Sequence, residues 1–298
     1  MTLLEMRNIT KEFGPVVANK NVNFSVEQGE VHALLGENGA GKSTLMNILF
    51  GMYEPTEGEI YYKGERVNIK SPKESIDLGI GMVHQHFMLI PAHTAIENVV
   101  LGYTGNKELL DLNAAAKRFT EMAKRYNMDI DPWEEVRNLS VGQQQRLEIL
   151  KALYRDVDTL IMDEPTSGLD PVVRSDILDI LYALIQDENK GVFFSTHITS
   201  DLDRIADYIV MIYNGEILFC TRKDELMENH AVVKGNLSLL DTVRSRNLVG
   251  IRKSSYGFDA LSTDKGTAAA FAKEGAVIDK PTLEDIMLYY TRKEHSHA

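Results

Sequence analysis

The sequence predicts an α/β fold built on a mainly parallel sheet, on three observations. Short apolar runs at residues 31–35, 159–162, 192–195 and 208–212 have the length and texture of strands buried on both faces. Helical patterns lie between strand signals, with a helix over 172–187 separating the second run from the third, as βαβ connections require. Residues 4–9 and 22–26 alternate apolar and polar side chains, as half-buried strands do, and add an antiparallel part at the N-terminal end.

The remaining elements follow in order. Glu27-Gln28-Gly29-Glu30 makes the turn into the strand at 31–35, which ends in a glycine-rich loop and a helix over 43–50. A second turn, Glu54-Pro55-Thr56-Glu57-Gly58, leads to strands at 59–62 and 66–69, a hairpin across Lys63-Gly64-Glu65. From 94 to 155 the pattern is helical, with apolar residues every three or four positions over 111–126 and 142–154. After Cys220, short strands at 248–251, 258–261 and 276–278 surround a helix at 267–273. Thr282-Leu283-Glu284-Asp285 then opens a last helix as a capping box, with Asp at the usual Glu or Gln position. The tail 294–298 reads as frayed.

Composition narrows the function classes. With 44% hydrophobic and 26% charged residues in a chain of 298, disorder, collagen-like repeats and a disulfide scaffold are excluded as overall descriptions. The balance of 32 basic to 44 acidic side chains, net −12, argues against a protein that coats nucleic acid. The single cysteine, Cys220, forms no internal disulfide and fits a reducing compartment. Glu5 interrupts the N-terminus before an apolar stretch builds, so no secretory signal is expected. No eighteen-residue apolar window occurs, so a membrane role is expected to be peripheral or through a partner.

Gly36-Glu37-Asn38-Gly39-Ala40-Gly41-Lys42-Ser43 fits G-x-x-x-x-G-K-[ST] between a predicted strand and a predicted helix. The glycines let backbone N–H groups turn toward phosphate oxygens, Lys42 supplies a charge for the β- and γ-phosphates, and Ser43 can ligate Mg²⁺. A chance glycine-rich turn would give this pattern in roughly one chain in a hundred of this length, before the strand–loop–helix context is counted. Nucleotide binding follows.

Leu160-Ile161-Met162-Asp163-Glu164 is an apolar strand ending in two acids. By themselves such acids read as a solvated loop edge. Beside a phosphate loop, Asp163 can serve the Mg²⁺ shell and Glu164 can polarise an attacking water. Leu139-Ser140-Val141-Gly142-Gln143, at a predicted helix start, offers a hydroxyl and free N–H groups to an anion; in isolation it reads as a plain helix cap.

The ordered set of phosphate loop, Gln85, 139–143, Asp163-Glu164, Ser167-Gly168-Leu169-Asp170 and His197 resembles the ATP-binding-cassette (ABC) family over about residues 1–220. One departure is Val141, where the family signature usually has Gly. The resemblance implies a P-loop NTPase with a RecA-like core, an N-terminal antiparallel β subdomain and an inserted helical subdomain at about 88–155. A C-terminal accessory α+β unit at 221–298 would follow. Its cofactors would be ATP and Mg²⁺. Phe13 would stack on adenine, an ordinary core Phe being the alternative. Gly36, Asn38, Gly39, Ala40, Gly41, Lys42, Ser43 and Thr44 would cradle the phosphates. Ser43, Gln85 and Asp163 would serve the metal, Glu164 would be the general base, and His197 would contact the γ-phosphate. Ser140, Gly142, Gln143 and Asp170 would complete the nucleotide site across a dimer of two chains enclosing two ATP. His84, His86 and His93, like His295 and His297, lack partners at ligand spacing and read as solvated or packed. Cys220 reads as a strand residue.

Within the family, about 120 residues between Gly41 and Asp163 leave no room for the long coiled coil of repair and chromosome proteins. A transporter ATPase remains, working at the cytoplasmic face of the membrane through separate permease chains. Residues 1–155 resemble ATPases of nucleoside and simple-sugar importers, which are typically tandem. Residues 167–298 resemble single-cassette ATPases of ABC-2-type exporters, so the chain looks composite. Length and the C-terminal unit favour export; import is the alternative, and a nucleotide-gated regulatory module with little turnover is a third reading.

Overall fold

The computed structural model describes residues 1–102, 111–186, 190–243 and 247–291. The chain opens with a long antiparallel hairpin, β1 (Thr2–Phe13) and β2 (Val16–Glu27), whose inward positions Leu4, Met6, Ile9, Val22, Phe24 and Val26 are buried. Next come β3 (Val31–Leu35), buried at every residue, the glycine-rich loop, and α1 (Lys42–Leu49). The hairpin β4 (Glu57–Tyr62) and β5 (Glu65–Val67) completes an antiparallel sheet in the order β2-β1-β4-β5.

The chain then adds two elements that the sequence reading lacked. Helix α2 (Pro72–Leu78) is capped by Ser71, whose Oγ accepts the Glu74 N–H at 3.3 Å, and it leads to strand β6 (Ile80–Val83). Four residues containing a glycine carry little strand signal; β6 forms because β7 (Thr159–Asp163) offers a parallel ladder from Ile80↔Thr159 to Val83↔Met162.

The helical stretch resolves into α3 (Ala95–Val100), α4 (Leu112–Arg125) and α5 (Val141–Leu153). Beyond β7 follow α6 (Pro171–Ile185), β8 (Gly191–Thr196), α7 (Thr199–Ile205), β9 (Tyr208–Tyr213) and β10 (Glu216–Arg222). The six-stranded sheet runs β10-β9-β3-β8-β7-β6 and is parallel except for the β9–β10 hairpin.

Both faces of this sheet are covered, so neighbouring residues of one strand enter opposite cores. Leu34, Ile161, Phe193 and Val210 pack with α1 and the antiparallel sheet, where Phe24 stacks on Phe193 at 4.8 Å. Ala33, Leu35, Met162, Phe194 and Met211 pack with the helices, among them Phe119, Leu150 and Leu202.

The C-terminal part contains α8 (Lys223–Asn229), β11 (Ala231–Gly235), α9 (Leu237–Val243), β12 (Leu248–Ser254), β13 (Gly257–Ser262), α10 (Lys265–Lys273), β14 (Val277–Asp279) and α11 (Leu283–Thr291). Its sheet, β12-β13-β11-β14, covers a small core of Val233, Leu240, Phe258, Ala260 and Phe271. Val232, Leu261, Leu283, Ile286 and Tyr289 instead join the larger core, where α11 meets α7. Thr282 and Asp285 form the anticipated reciprocal cap: Asp285 Oδ2 accepts the Thr282 N–H at 2.9 Å and Thr282 Oγ1 accepts the Asp285 N–H at 3.1 Å. Cys220 lies on β10 and is exposed. The frayed-tail expectation, with His295 and His297, falls outside the described residues. Among the described residues no helix is long and apolar enough to cross a membrane.

Candidate functional site

The loop after β3 turns sharply because Gly41 takes φ +103°, and a Cβ there would stand 2.4 Å from Ala18 O. The buried Asn19 secures this turn from β2 by donating from Nδ2 to Gly41 O at 3.2 Å. Lys42, first in α1, is buried, and its Nζ donates to Gly36 O at 2.8 Å and Glu37 O at 3.0 Å. The same ammonium stands 3.2 Å from Glu164 Oε1, a contact between two buried charges.

A cavity of about 520 Å³ opens here. Asn38, Gly39, Gly41, Lys42, Ser43 and Thr44 form one wall, and Gln85 and Glu164 reach it from the loops after β6 and β7. Gly36 and Ala40 shape the loop from behind: a Cβ on Gly36 would lie 2.6 Å from Ile212 O, and Ala40 O accepts the Gly215 N–H at 3.0 Å. Val16, Val17, Ala18, Asn214 and Gly215 also line the cavity, and sequence reasoning missed all five. For two of them a signal existed, since Asn214-Gly215, with φ of 48° and 81°, is the Asn-Gly hairpin turn between two apolar strands.

The two acids part company. Asp163, on β7, is buried and off the cavity wall, directly opposite Ser195 on β8. Ser195 Oγ donates to Asp163 Oδ1 at 2.6 Å and accepts the Glu164 N–H at 3.0 Å. Ser195 was not singled out, because a hydroxyl closing an apolar strand carries no sequence signal by itself. Glu164 adopts φ +48°, a left-handed backbone that is uncommon for a side-chain-bearing residue. Its Oε2 lies 3.0 Å from His197 Nδ1, within ion-pair range but without hydrogen-bond alignment. The carboxylate thus stands between Lys42 and His197.

Five further expected residues lie apart from this cavity. Ser140 caps α5 in a reciprocal box: its Oγ accepts the Gln143 N–H at 3.3 Å, and Gln143 Oε1 accepts the Ser140 N–H at 3.0 Å. The Ser140 and Gln143 N–H groups are therefore engaged in the cap. Gly142 faces α6, where a Cβ would meet Val173 Cγ1 at 2.8 Å. Asp170 caps α6 through Oδ1, which accepts from Val172 N at 3.0 Å and Val173 N at 3.1 Å. Phe13 is 42% exposed and edge-on to Tyr53 at 5.2 Å, so it is no core residue, yet it does not line the cavity.

The wall suits a polyphosphate: a buried ammonium, hydroxyls of Ser43 and Thr44, and positive-φ glycines at 39 and 41 that turn backbone N–H groups inward. Ser43, Gln85 and Asp163 are hard oxygen donors of the kind Mg²⁺ takes. Among the described residues, no group of three or more His, Cys, Asp and Glu could hold a metal. Mg²⁺ would therefore draw ligands from the phosphates as well, its usual habit. His84 is edge-on to Phe50 at 5.5 Å, and burial holds its pKa below the usual imidazole range.

Residues 19–167 match the ABC transporter family. The nucleoside import ATP-binding protein NupA of Lactococcus lactis subsp. cremoris MG1363 is 50% identical over 216 residues, 72% of this chain and 42% of that one. The guanosine import ATP-binding protein NupO of Bacillus subtilis 168 is 47% identical over 215 residues, again 72% and 42%. This chain thus spans about two fifths of the length of the curated relatives it matches. A solved dimer of the ATP-binding cassette MJ0796 in a post-hydrolysis state, bound to ADP and Pi, is 30% identical with TM-score 0.65, covering 74% of this chain and 98% of that one. These relatives support the import alternative better than the export reading. Both are named as import proteins, and a match of 216 residues is longer than 1–155, so importer likeness is not confined to that segment.

Proposed function

The chain belongs to the ABC transporter family, and on that premise we propose that it is an ATP-hydrolysing subunit of a transporter that imports a nucleoside or simple sugar. One observation carries the hydrolytic part: Lys42 Nζ and Glu164 Oε1, from distant parts of the sequence, stand 3.2 Å apart on the wall of one cavity. In this reading the loop amides and Lys42 bind the phosphates, Ser43, Gln85 and Asp163 hold Mg²⁺, and Glu164 takes a proton from the attacking water. Mg²⁺ supplies neutralisation of charge on the phosphates. His197 orients Glu164 and meets the γ-phosphate; Phe13 takes the adenine.

Ser140, Gly142, Gln143 and Asp170 complete the site of a second copy, so two chains enclose two ATP. Their position away from this chain's own cavity and the dimeric cassette relative support that assignment. The dimer would drive separate membrane-spanning chains from the cytoplasmic face. The import direction and substrate class are supported by the printed functions of the relatives.

Mg-ATP turnover by the purified chain over a range of protein concentrations, with Glu164→Gln alongside, tests this reading. Turnover per chain that climbs with concentration and vanishes in the variant, with ATP binding retained, is the expected result. Equal, negligible rates in both proteins with intact ATP binding would favour the nucleotide-gated module instead.

A further inference from the structure

The segment that follows Gln85 has no regular secondary structure up to Pro91, yet its backbone is held at two points by buried side chains of the helical part. At Met88, Glu148 of α5 accepts the N–H on Oε1 at 2.5 Å, and Lys151 of α5 donates from Nζ to the carbonyl at 2.9 Å. Lys151 Nζ also stands 2.9 Å from Glu148 Oε2, an ion-pair contact rather than an aligned hydrogen bond. At Ile90, Asn98 of α3 accepts the N–H on Oδ1 at 2.7 Å and donates from Nδ2 to the carbonyl at 3.1 Å. Glu148 is 1% exposed and Asn98 3%, whereas Met88 is 58% exposed. The clamp therefore grips backbone amides and leaves the side chain of Met88 outside.

A buried carboxylate is costly unless it is paired, and among the described residues Lys151 supplies the ion pair to Glu148 and the Met88 amide its hydrogen bond. Glu148 and Lys151 are one turn apart on the helix that Ser140 caps, five and eight residues after Gln143. Gln85 is exposed on the cavity wall only three positions before the clamped residue.

We propose that Glu148 and Lys151 are positioning residues for Gln85: they fasten the Gln85-bearing segment to α5, so that Gln85 and the Ser140–Gln143 helix start move as one body. The arrangement acts through Gln85 and touches neither nucleotide nor metal. This inference rests on the ATP-hydrolysing reading above for its kinetic consequence, though the clamp itself is measurable without turnover.

The test has two arms on the full chain. In the kinetic arm, Mg-ATP turnover and ATP affinity are measured for wild type, Gln85→Ala, Glu148→Ala and the double variant, with Glu148→Gln and Lys151→Met as milder changes. Glu148→Ala should lower kcat on the order of tenfold with ATP affinity unchanged, because small misplacement of a positioned group is costly. The double variant should be no slower than Gln85→Ala, the sign of two residues acting as a unit. Multiplying losses, or wild-type kcat in Glu148→Ala, would overturn the proposal. If Glu148→Ala fails to melt cooperatively, Glu148→Gln replaces it: the amide oxygen still accepts from Met88, the charge pair with Lys151 is gone, and the same non-additivity with Gln85→Ala is required. In the second arm, backbone hydrogen exchange over residues 86–90 should be slow in wild type and faster in Glu148→Gln and Lys151→Met. Unchanged exchange would sink the clamp whether or not the chain hydrolyses ATP. Absent wild-type turnover with altered exchange would instead count against the hydrolytic reading alone.

Discussion

Ser195 donates a 2.6 Å hydrogen bond to Asp163 from the facing strand, and its oxygen accepts the N–H of Glu164 at 3.0 Å. One buried hydroxyl thus fixes both acids that end β7, one through its side chain and the other through its backbone. Glu164 needs that support, because its left-handed backbone at φ +48° is sustained only by surrounding structure.

Ser195→Ala removes the donor to Asp163, while the Glu164 N–H keeps the Ser195 carbonyl at 3.2 Å. A lost buried partner of this kind costs about 1–3 kcal/mol. Urea unfolding should show that loss, together with reduced Mg-ATP turnover. Ser195→Ala with wild-type stability would show that the hydroxyl does not hold Asp163.

Gly142→Ala sets a Cβ 2.8 Å from Val173 Cγ1 and 2.9 Å from Cγ2. Valine is stiff about χ1, so the neighbour cannot swing aside freely. Overpacking of about 1–3 kcal/mol is expected, and Val173→Ala in the same chain should restore most of it. Thermal melting of the single and double variants measures this; additive losses would mean that the two side chains do not collide.

Asp201, 1% exposed, accepts from Thr166 Oγ1 at 2.5 Å and Arg174 Nε at 2.6 Å, tying the loop after Glu164 to α6 and α7. Asp201→Ala removes the acceptor for both groups and should cost about 3 kcal/mol. The solvent-facing pair of Arg204 with Asp179 makes the contrast, since Arg204→Ala should cost under about 1 kcal/mol. Chemical denaturation that ranks the two variants equally would contradict the difference in burial.

His32 stacks on Tyr208 at 4.5 Å, and burial pushes its pKa below the usual imidazole range, against the opposing pull of Glu30. A base whose pKa is lowered on folding takes up its proton more readily in the unfolded chain. Its contribution to stability is therefore complete above about pH 6.5 and declines as the pH falls below that value. Burial lowers the pKa of His84 and His230 in the same direction. The urea midpoint should drop between pH 7.5 and pH 5.5, and His32→Phe, which keeps a ring against Tyr208, should reduce the drop. An equal drop in both proteins would remove His32 from the account.

Much of this was legible in the residues. The run at 31–35 becomes β3 because five consecutive apolar residues are what a strand covered on both faces requires. The phosphate loop, the acids ending β7 and the Thr282 cap likewise carry local signals. Helix α2 had its own signal, Ser71-Pro72 with Glu74, which was overlooked. Strand β6 did not, since Ile80-Gly81-Met82-Val83 is a strand only against β7.

What the sequence determined by itself is the chemistry available at each position: a phosphate loop, a lysine in it, two acids at a strand end and a glutamine after Val83. Which of those groups meet was decided by the tertiary structure. Parallel pairing sets Ser195 opposite Asp163, brings Glu164 to Lys42 and His197, and leaves Ser140 and Phe13 outside the same cavity. The reason is physical. Local patterns follow from periodicity along the chain, whereas strand order and register follow from burying both faces of a sheet whose strands are far apart in sequence.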